Sequence, residues 1–297
     1  MTAVAGSGDN EAIALVLGGT GRTGRRVVER LTARGVPVRA GSRAGEPPFH
    51  WGEPATWAPA LDAVDAVYVS YQPSLAIPGA ADAVGAFAQL AVSRGARRLV
   101  LLSARGEEGS QLGEEALRAS GAEWTIVRSS WLDQDFSEGF LHPQVLSGVV
   151  ALPARQVGEP FVDAGDVADV AVAALTEDGH AHRVYEVTGP RLLTFAEAVE
   201  ELAQAAGRRI RYAQVPLSEF AALLAEHHLA PGSVSLFTYL FAEVHDGRNA
   251  HLTDGVERAL GREPTDFADY ARATAATGVW GAPERPRRTL QTREDHR

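Results

Sequence analysis

Three observations predict an α/β protein with a doubly wound, parallel, Rossmann-type sheet and a smaller C-terminal α/β lobe. Short apolar runs of strand length alternate with amphipathic stretches through the first half of the chain, the pattern of strands joined by crossover helices. The first run, Ile13–Leu17, ends directly in Gly18-Gly19-Thr20-Gly21-Arg22-Thr23-Gly24, a turn that opens a helix-like stretch. Beyond Arg128 the alternation weakens and other elements take over.

Taken in order, the strands are expected at Ile13–Leu17, 36–40, 66–70, 98–103 and 124–128. Between the third and fourth, Val84, Phe87, Ala88 and Ala91 recur at helical spacing, so one apolar stripe faces the sheet. Residues 131–162 mix aromatics, Gly and Pro without a period and read as a loop-rich pocket wall. Residues 166–175 resume a helix, and 184–187 reads as a strand able to rejoin the sheet. Thr194 and Glu197 form a capping box, and Gly207 closes the helix they start. A short strand at 210–214, a helix at 218–227 and a last helix at 265–277, stopped by Gly278, complete the lobe. The resulting division is a flexible tail at 1–11, a nucleotide-binding domain at 12–155, the smaller lobe at 156–280 and a second flexible tail at 281–297.

Bulk properties narrow the function. A chain of 297 residues, 45% hydrophobic, buries a substantial core. Its formal net charge of -10 opposes attraction to nucleic-acid phosphates, so no direct nucleic-acid partner is expected. The most basic run, from Arg285 to Arg288, falls in the Pro-rich tail and reads as solvated. There is no cysteine, which excludes disulfides, thiolate nucleophiles and cysteine-bound zinc and fits a cytoplasmic location. No signal-like N-terminus or long apolar run points to a membrane.

The glycine turn carries the first functional reading. A strand ending in glycines and turning into a helix aims backbone N–H groups and the positive helix end at a pyrophosphate. Gly18 ends the strand, Gly21 lets backbone approach, and Gly24 lets the helix pack on the sheet, with Thr20, Arg22 and Thr23 between them. After the second strand, where an NAD site places an acidic residue, the chain reads Arg39-Ala40-Gly41-Ser42-Arg43. Ser42 and Arg43 suit a 2′-phosphate, because a guanidinium pairs with phosphate oxygens while a carboxylate repels them. NADP(H) is therefore expected in preference to NAD(H), with Arg22 as a second contact.

With these stand the stretches FHWGEPATWAPAL at 49–61, EWTIVRSSWLDQDF at 123–136, FVDAGDVADVA at 161–171, YEVTGP at 185–190 and GVW at 278–280. As an ordered set, the chain resembles the atypical short-chain dehydrogenase/reductases of the NmrA-like group, including their quinone-reductase-like and ergot-alkaloid-reductase-like branches. The resemblance implies that Ser70, Tyr71, Gln72 and Pro73 pass along the cofactor and that Ser103 faces its nicotinamide side. It also implies an adenine-side contact at Trp51, which follows His50 where the family pattern has an Asp.

All 28 basic residues are arginine, so the Tyr-x-x-x-Lys pair by which typical members of the superfamily deliver a proton cannot exist here. Acceptors needing little acid help, such as quinones, imines, azo dyes or enones, are expected. Tyr71, Ser103 and His142 are the candidate proton donors or polar anchors, and Trp131 and Phe136 could form an aromatic plate for a planar acceptor. Asp163 and Asp166 read as helix caps rather than an acid/base pair. Glu226, His227 and His228, with His245, Asp246 and His251, do not read as a metal site, because adjacent histidines point to different helix faces. The leading reading is an NADPH-dependent oxidoreductase acting on a small molecule; the competing one is an NADP(H)-sensing regulator without turnover. A homodimer is compatible with either.

Overall fold

A computed structural model describes residues 13–226 and 231–281. The expected tails, apart from Gly281, lie outside the described residues, as do His227 and His228. In chain order the elements begin β1 (Ile13–Leu17), α1 (Arg22–Ala33), β2 (Val38–Gly41), α2 (Trp57–Ala60), β3 (Val64–Val69), α3 (Ala80–Ser93), β4 (Arg98–Ala104) and α4 (Glu108–Arg118). They continue with β5 (Glu123–Ser129), α5 (His142–Ser147), β6 (Val149–Leu152), α6 (Ala164–Thr176), β7 (Arg183–Val187), α7 (Phe195–Ala205) and β8 (Arg211–Gln214). The last are α8 (Leu217–Glu226), α9 (Pro231–Tyr239), α10 (Gly255–Leu260) and α11 (Phe267–Ala276).

Six strands form one sheet in the order β2-β1-β3-β4-β5-β7, with every neighbouring pair parallel. Successive strand residues alternate between its two faces. Leu15, Leu17, Val67, Val69, Leu99 and Leu101 meet Val84, Phe87, Ala88 and Ala91 of α3 on one side. Ala14, Val16, Tyr68 and Val100 meet Val27 and Leu31 of α1 and Val167, Val170 and Ala171 of α6 on the other. This is the expected doubly wound sheet. The direction of winding reverses between β1 and β3, so a crevice opens at the C-terminal ends of those two strands.

β2 and β3 each start two residues from the expected position, and at β2 the cause is local. β2 begins at Val38, because 36–37 finish the turn out of α1, where the Val36 N–H donates to the Leu31 carbonyl over 3.0 Å. Between β2 and β3 the chain forms no strand; it is pinned by the rings of Phe49, Trp51 and Trp57 against Phe87.

β7 pairs with β5, and α6 packs on α1, so both belong to the large sheet. The wall expected as loop contains α5 and β6, and β6 pairs with β8 in a separate two-stranded parallel sheet. A third core surrounds it, with Phe136, Phe161, Phe195, Phe241, Phe267 and Trp280 interlocked. Thr194 and Glu197 make the expected capping box on α7, and Asp163 caps α6 by accepting from the Gly165 N–H.

Candidate functional site

At the crevice the glycine turn takes the shape its sequence requires. Gly18 has φ +67°, a conformation costly for any side chain, and a Cβ at Gly24 would collide with the Gly18 carbonyl oxygen. Gly21 is the N-cap of α1 and offers no side chain to its first turn, which contains no acidic residue. The leading N–H groups of the helix therefore face the cleft without a protein acceptor of the capping kind, the arrangement an anion fits. Thr23 is buried behind the turn, where its Oγ1 accepts from the Tyr68 hydroxyl at 3.0 Å.

A cleft of about 270 Å³ runs from this turn across the ends of β1, β3, β4 and β5. Gly18, Gly21, Arg22 and Thr23 line its beginning, and Ser70, Tyr71, Gln72 and Pro73 its flank. Ser103 and Trp131 line it further along. Ten of the sequence-predicted positions thus meet in one cavity. Thr20 is exposed at the turn, Gly24 is buried beneath it, and Ser42 and Arg43 follow β2 outside the lining, with Arg43 exposed. Arg39 is occupied by the Ala60 and Asp62 carbonyls, each at 2.7 Å. Trp51 sits behind the flank, its ring 4.8 Å from that of Tyr71 and its indole N–H donating to the Ser70 carbonyl at 3.1 Å.

Two residues expected to meet the acceptor are not brought to the cleft. Phe136 is fully buried among Phe161, Phe195 and Phe267, so it packs the small lobe instead of contacting an acceptor. His142 starts α5 with its Nε2 3.3 Å from the Val279 carbonyl, away from the lining. From there it does not reach the cleft to donate a proton. The aromatic wall is built instead from Trp131, Phe140 and Phe237, the last two stacked with centroids 4.1 Å apart. Leu236, Leu240 and Val244 extend it from α9 and the single π-helical turn that follows.

The polar floor was largely unforeseen. Ser103 is 3% exposed and donates its hydroxyl hydrogen to Glu114 Oε1 at 2.7 Å. Glu114 is fully buried and held by Arg128 through Nε at 2.7 Å and Nη2 at 2.6 Å. Arg128 reaches on to Glu186 at 2.9 Å, whose other oxygen meets Arg105 at 3.4 Å. The Arg105 side chain, 2% exposed, also donates to Ser130 at 3.0 Å and contacts His251 at 2.8 Å. With its hydrogen committed to Glu114, Ser103 serves the cleft as an acceptor and is withdrawn as a proton donor.

Three carboxyls line the cavity. Arg22 pairs with Asp135, yet burial still pushes the Asp135 carboxyl above its usual range. Glu159 pairs with His245 Nδ1 at 3.0 Å, both buried. Glu107, after β4, is 7% exposed and accepts a hydrogen bond from Ser110 at 2.9 Å. Burial raises its pKa, with the Ser110 bond opposing. The segment Arg105-Gly106-Glu107 directly follows a strand C-terminal end, the one sequence signal that could have flagged it.

No protein-family model matches the chain. Among curated sequences it is 31% identical over 280 residues to the uncharacterized oxidoreductase YesF of Bacillus subtilis (strain 168), covering 90% of this chain and 97% of that protein. It is 30% identical over 274 residues to agroclavine dehydrogenase of Claviceps fusiformis, covering 86% and 95%. Among solved structures, triphenylmethane reductase of Citrobacter sp., crystallised with NADP(H), shares the fold with a TM-score of 0.71 at 18% identity, over 89% of this chain and 99% of that one.

Proposed function

The chain belongs to the NmrA-like group of atypical short-chain dehydrogenase/reductases and is an NAD(P)H-dependent oxidoreductase, and from that premise we propose that it reduces small planar organic acceptors of the quinone, imine, azo or enone type, using NADP(H) in preference to NAD(H). One observation carries the reading. A single cleft joins an uncapped, glycine-built helix N-terminus at one end to a wall of aromatic rings at the other.

The dinucleotide fits the near half. Backbone N–H groups of Arg22 and Thr23 would hold its pyrophosphate, with Gly18, Gly21 and Gly24 keeping the backbone close and Thr20 at the edge. Ser42 and Arg43 would take the 2′-phosphate; no carboxylate among the described residues pairs with Arg43, unlike Arg22. Ser70, Tyr71, Gln72 and Pro73 would bound the dinucleotide along the flank, with Trp51 bracing Tyr71 from behind. When bound, a reduced nicotinamide supplies a hydride. The protein then has to place the acceptor and exclude water, which Trp131, Phe140 and Phe237 are built to do. Packed this closely, the rings make one continuous apolar face on which a flat molecule would stack.

The test is a panel. Purified protein with NADPH is offered quinones, azo dyes, imines and enones while oxidation of the nicotinamide is followed by absorbance. Turnover of at least one class is expected. Tight NADPH binding with no turnover on any acceptor overturns the reductase reading in favour of a cofactor-sensing regulator.

A further inference from the structure

We propose that Glu107 is the acid that delivers the proton in this cleft, the task that a chain without lysine cannot give to a Tyr–Lys pair; the proposal rests on the reductase reading. Besides the Tyr71 phenol, few groups lining the cavity have a hydrogen to release. Ser103 has given its hydrogen to Glu114. Arg105 is fixed by Glu186, Ser130 and His251, and arginine does not release a proton in this range. Asp135 is held by Arg22, and Glu159 by His245. Glu107 alone among the carboxyls lining the cleft has no cation on it, and its only side-chain partner is a neutral hydroxyl.

On balance its surroundings favour the neutral acid. It immediately precedes α4, whose N-terminal dipole favours a carboxylate, yet burial outweighs that and raises its pKa. On the α9 side stands the Tyr239 phenol, which burial pushes above its usual value. Arg248, whose Nη1 donates to the Gly106 carbonyl at 3.3 Å, is paired with Asp246 at 2.8 Å. Glu108 is exposed beside it and adds only like charge. With Ser110 donating to one carboxyl oxygen, the other is left to carry the proton into the cleft.

The reaction balances simply. An N=N or C=C–C=O acceptor gains a hydride at one atom from a reduced nicotinamide dinucleotide and a proton at the other from the Glu107 carboxyl. The dinucleotide is left oxidised by two electrons, and the Glu107 carboxylate regains a proton from water. An iminium ion differs, because hydride addition alone neutralises it and no proton is required. The two acceptor types therefore separate proton delivery from every other demand of the site.

The experiment compares unmodified protein with Glu107→Gln, which keeps the bond to Ser110 but carries no acidic proton. The ratio of azo or enone turnover to iminium turnover should fall about a hundredfold. In the unmodified protein, azo turnover should decline with rising pH along a limb above the ordinary carboxylate range, and that limb should vanish in the variant. Independently of turnover, the side-chain carboxyl carbon resonance of Glu107 in cofactor-free protein, assigned by its loss in Glu107→Gln, should titrate above the ordinary glutamate value. An unchanged ratio, a resonance titrating at the ordinary value, or a ratio collapse confined to Tyr71→Phe overturns the assignment alone. Absence of turnover on every acceptor by the unmodified protein overturns the reductase reading and the assignment with it.

Discussion

Arginine does the work of all basic residues here, and position decides which of them remains free to bind a ligand. Arg39 and Arg43 flank the end of β2 with the same chemistry, yet Arg39 is used up by two backbone carbonyls while Arg43 stays exposed. Replacing Arg43 with Ala should weaken NADPH binding about tenfold to a hundredfold, the loss expected for one charge-assisted pair, and change NADH binding far less. Titration of intrinsic tryptophan fluorescence with each dinucleotide reads both affinities; equal losses would remove the 2′-phosphate assignment. At this scale the sequence was most readable where a residue's role follows from its backbone, as at Gly18 and Gly24, and least where it depends on a distant partner. Ser103 looked like a donor because Glu114, eleven residues on, was not visible as its acceptor. Phe136 looked like a ligand plate because nothing local distinguishes an aromatic that lines a cavity from one that fills a core.

Among elements, the β1–α1 turn has the least tolerance, since strand, turn and helix share one backbone path. A methyl at Gly24 cannot avoid the Gly18 carbonyl, so Gly24→Ala should destabilise the fold by about 2 kcal/mol or more and abolish dinucleotide binding together. Thermal denaturation with and without NADPH measures both; an unshifted midpoint with retained binding would show that the turn has room the geometry denies. The helices and central strands were legible because their apolar periods are regular, as with Val84, Phe87, Ala88 and Ala91 on α3. β8 was legible as a short strand, but β6, four residues inside an aperiodic stretch, and its pairing with β8 across a long stretch of chain were not. The same holds for the cleft wall. Phe237 and Leu240 reach the cavity only through the tertiary placement of α9 and the π-helical turn after it, which the residues' own pattern does not encode.

Across the whole molecule, stability should depend on pH through carboxyls of opposite sign. Asp266 and Glu138 are held below their usual range, Asp266 chiefly by its bonds to Arg191 and Glu138, against burial, by Arg26 and Arg25. Such groups stabilise the fold above their unfolded values and lose that contribution as pH falls. Asp133 acts the other way. It is fully buried, neither of its oxygens has a protein hydrogen-bond partner, and burial pushes it well above its usual range, with the charges of Asp163, Asp166, Asp266 and Asp135 adding to the shift. In the folded protein it keeps a proton that the unfolded chain releases near the ordinary aspartate value, so its contribution is complete below that value and is lost as pH rises toward the folded one. Each pH unit within that window costs about 1.4 kcal/mol. Asp133→Asn removes the ionisation but keeps the shape. Urea unfolding of both proteins between about pH 5 and pH 8 should therefore show the variant gaining on the unmodified chain as pH rises, with the loss at acid pH shared by both. Parallel curves would mean that Asp133 is ionised in the fold and finds a partner, and the buried carboxyl between the two lobes would then have to be counted as a charge.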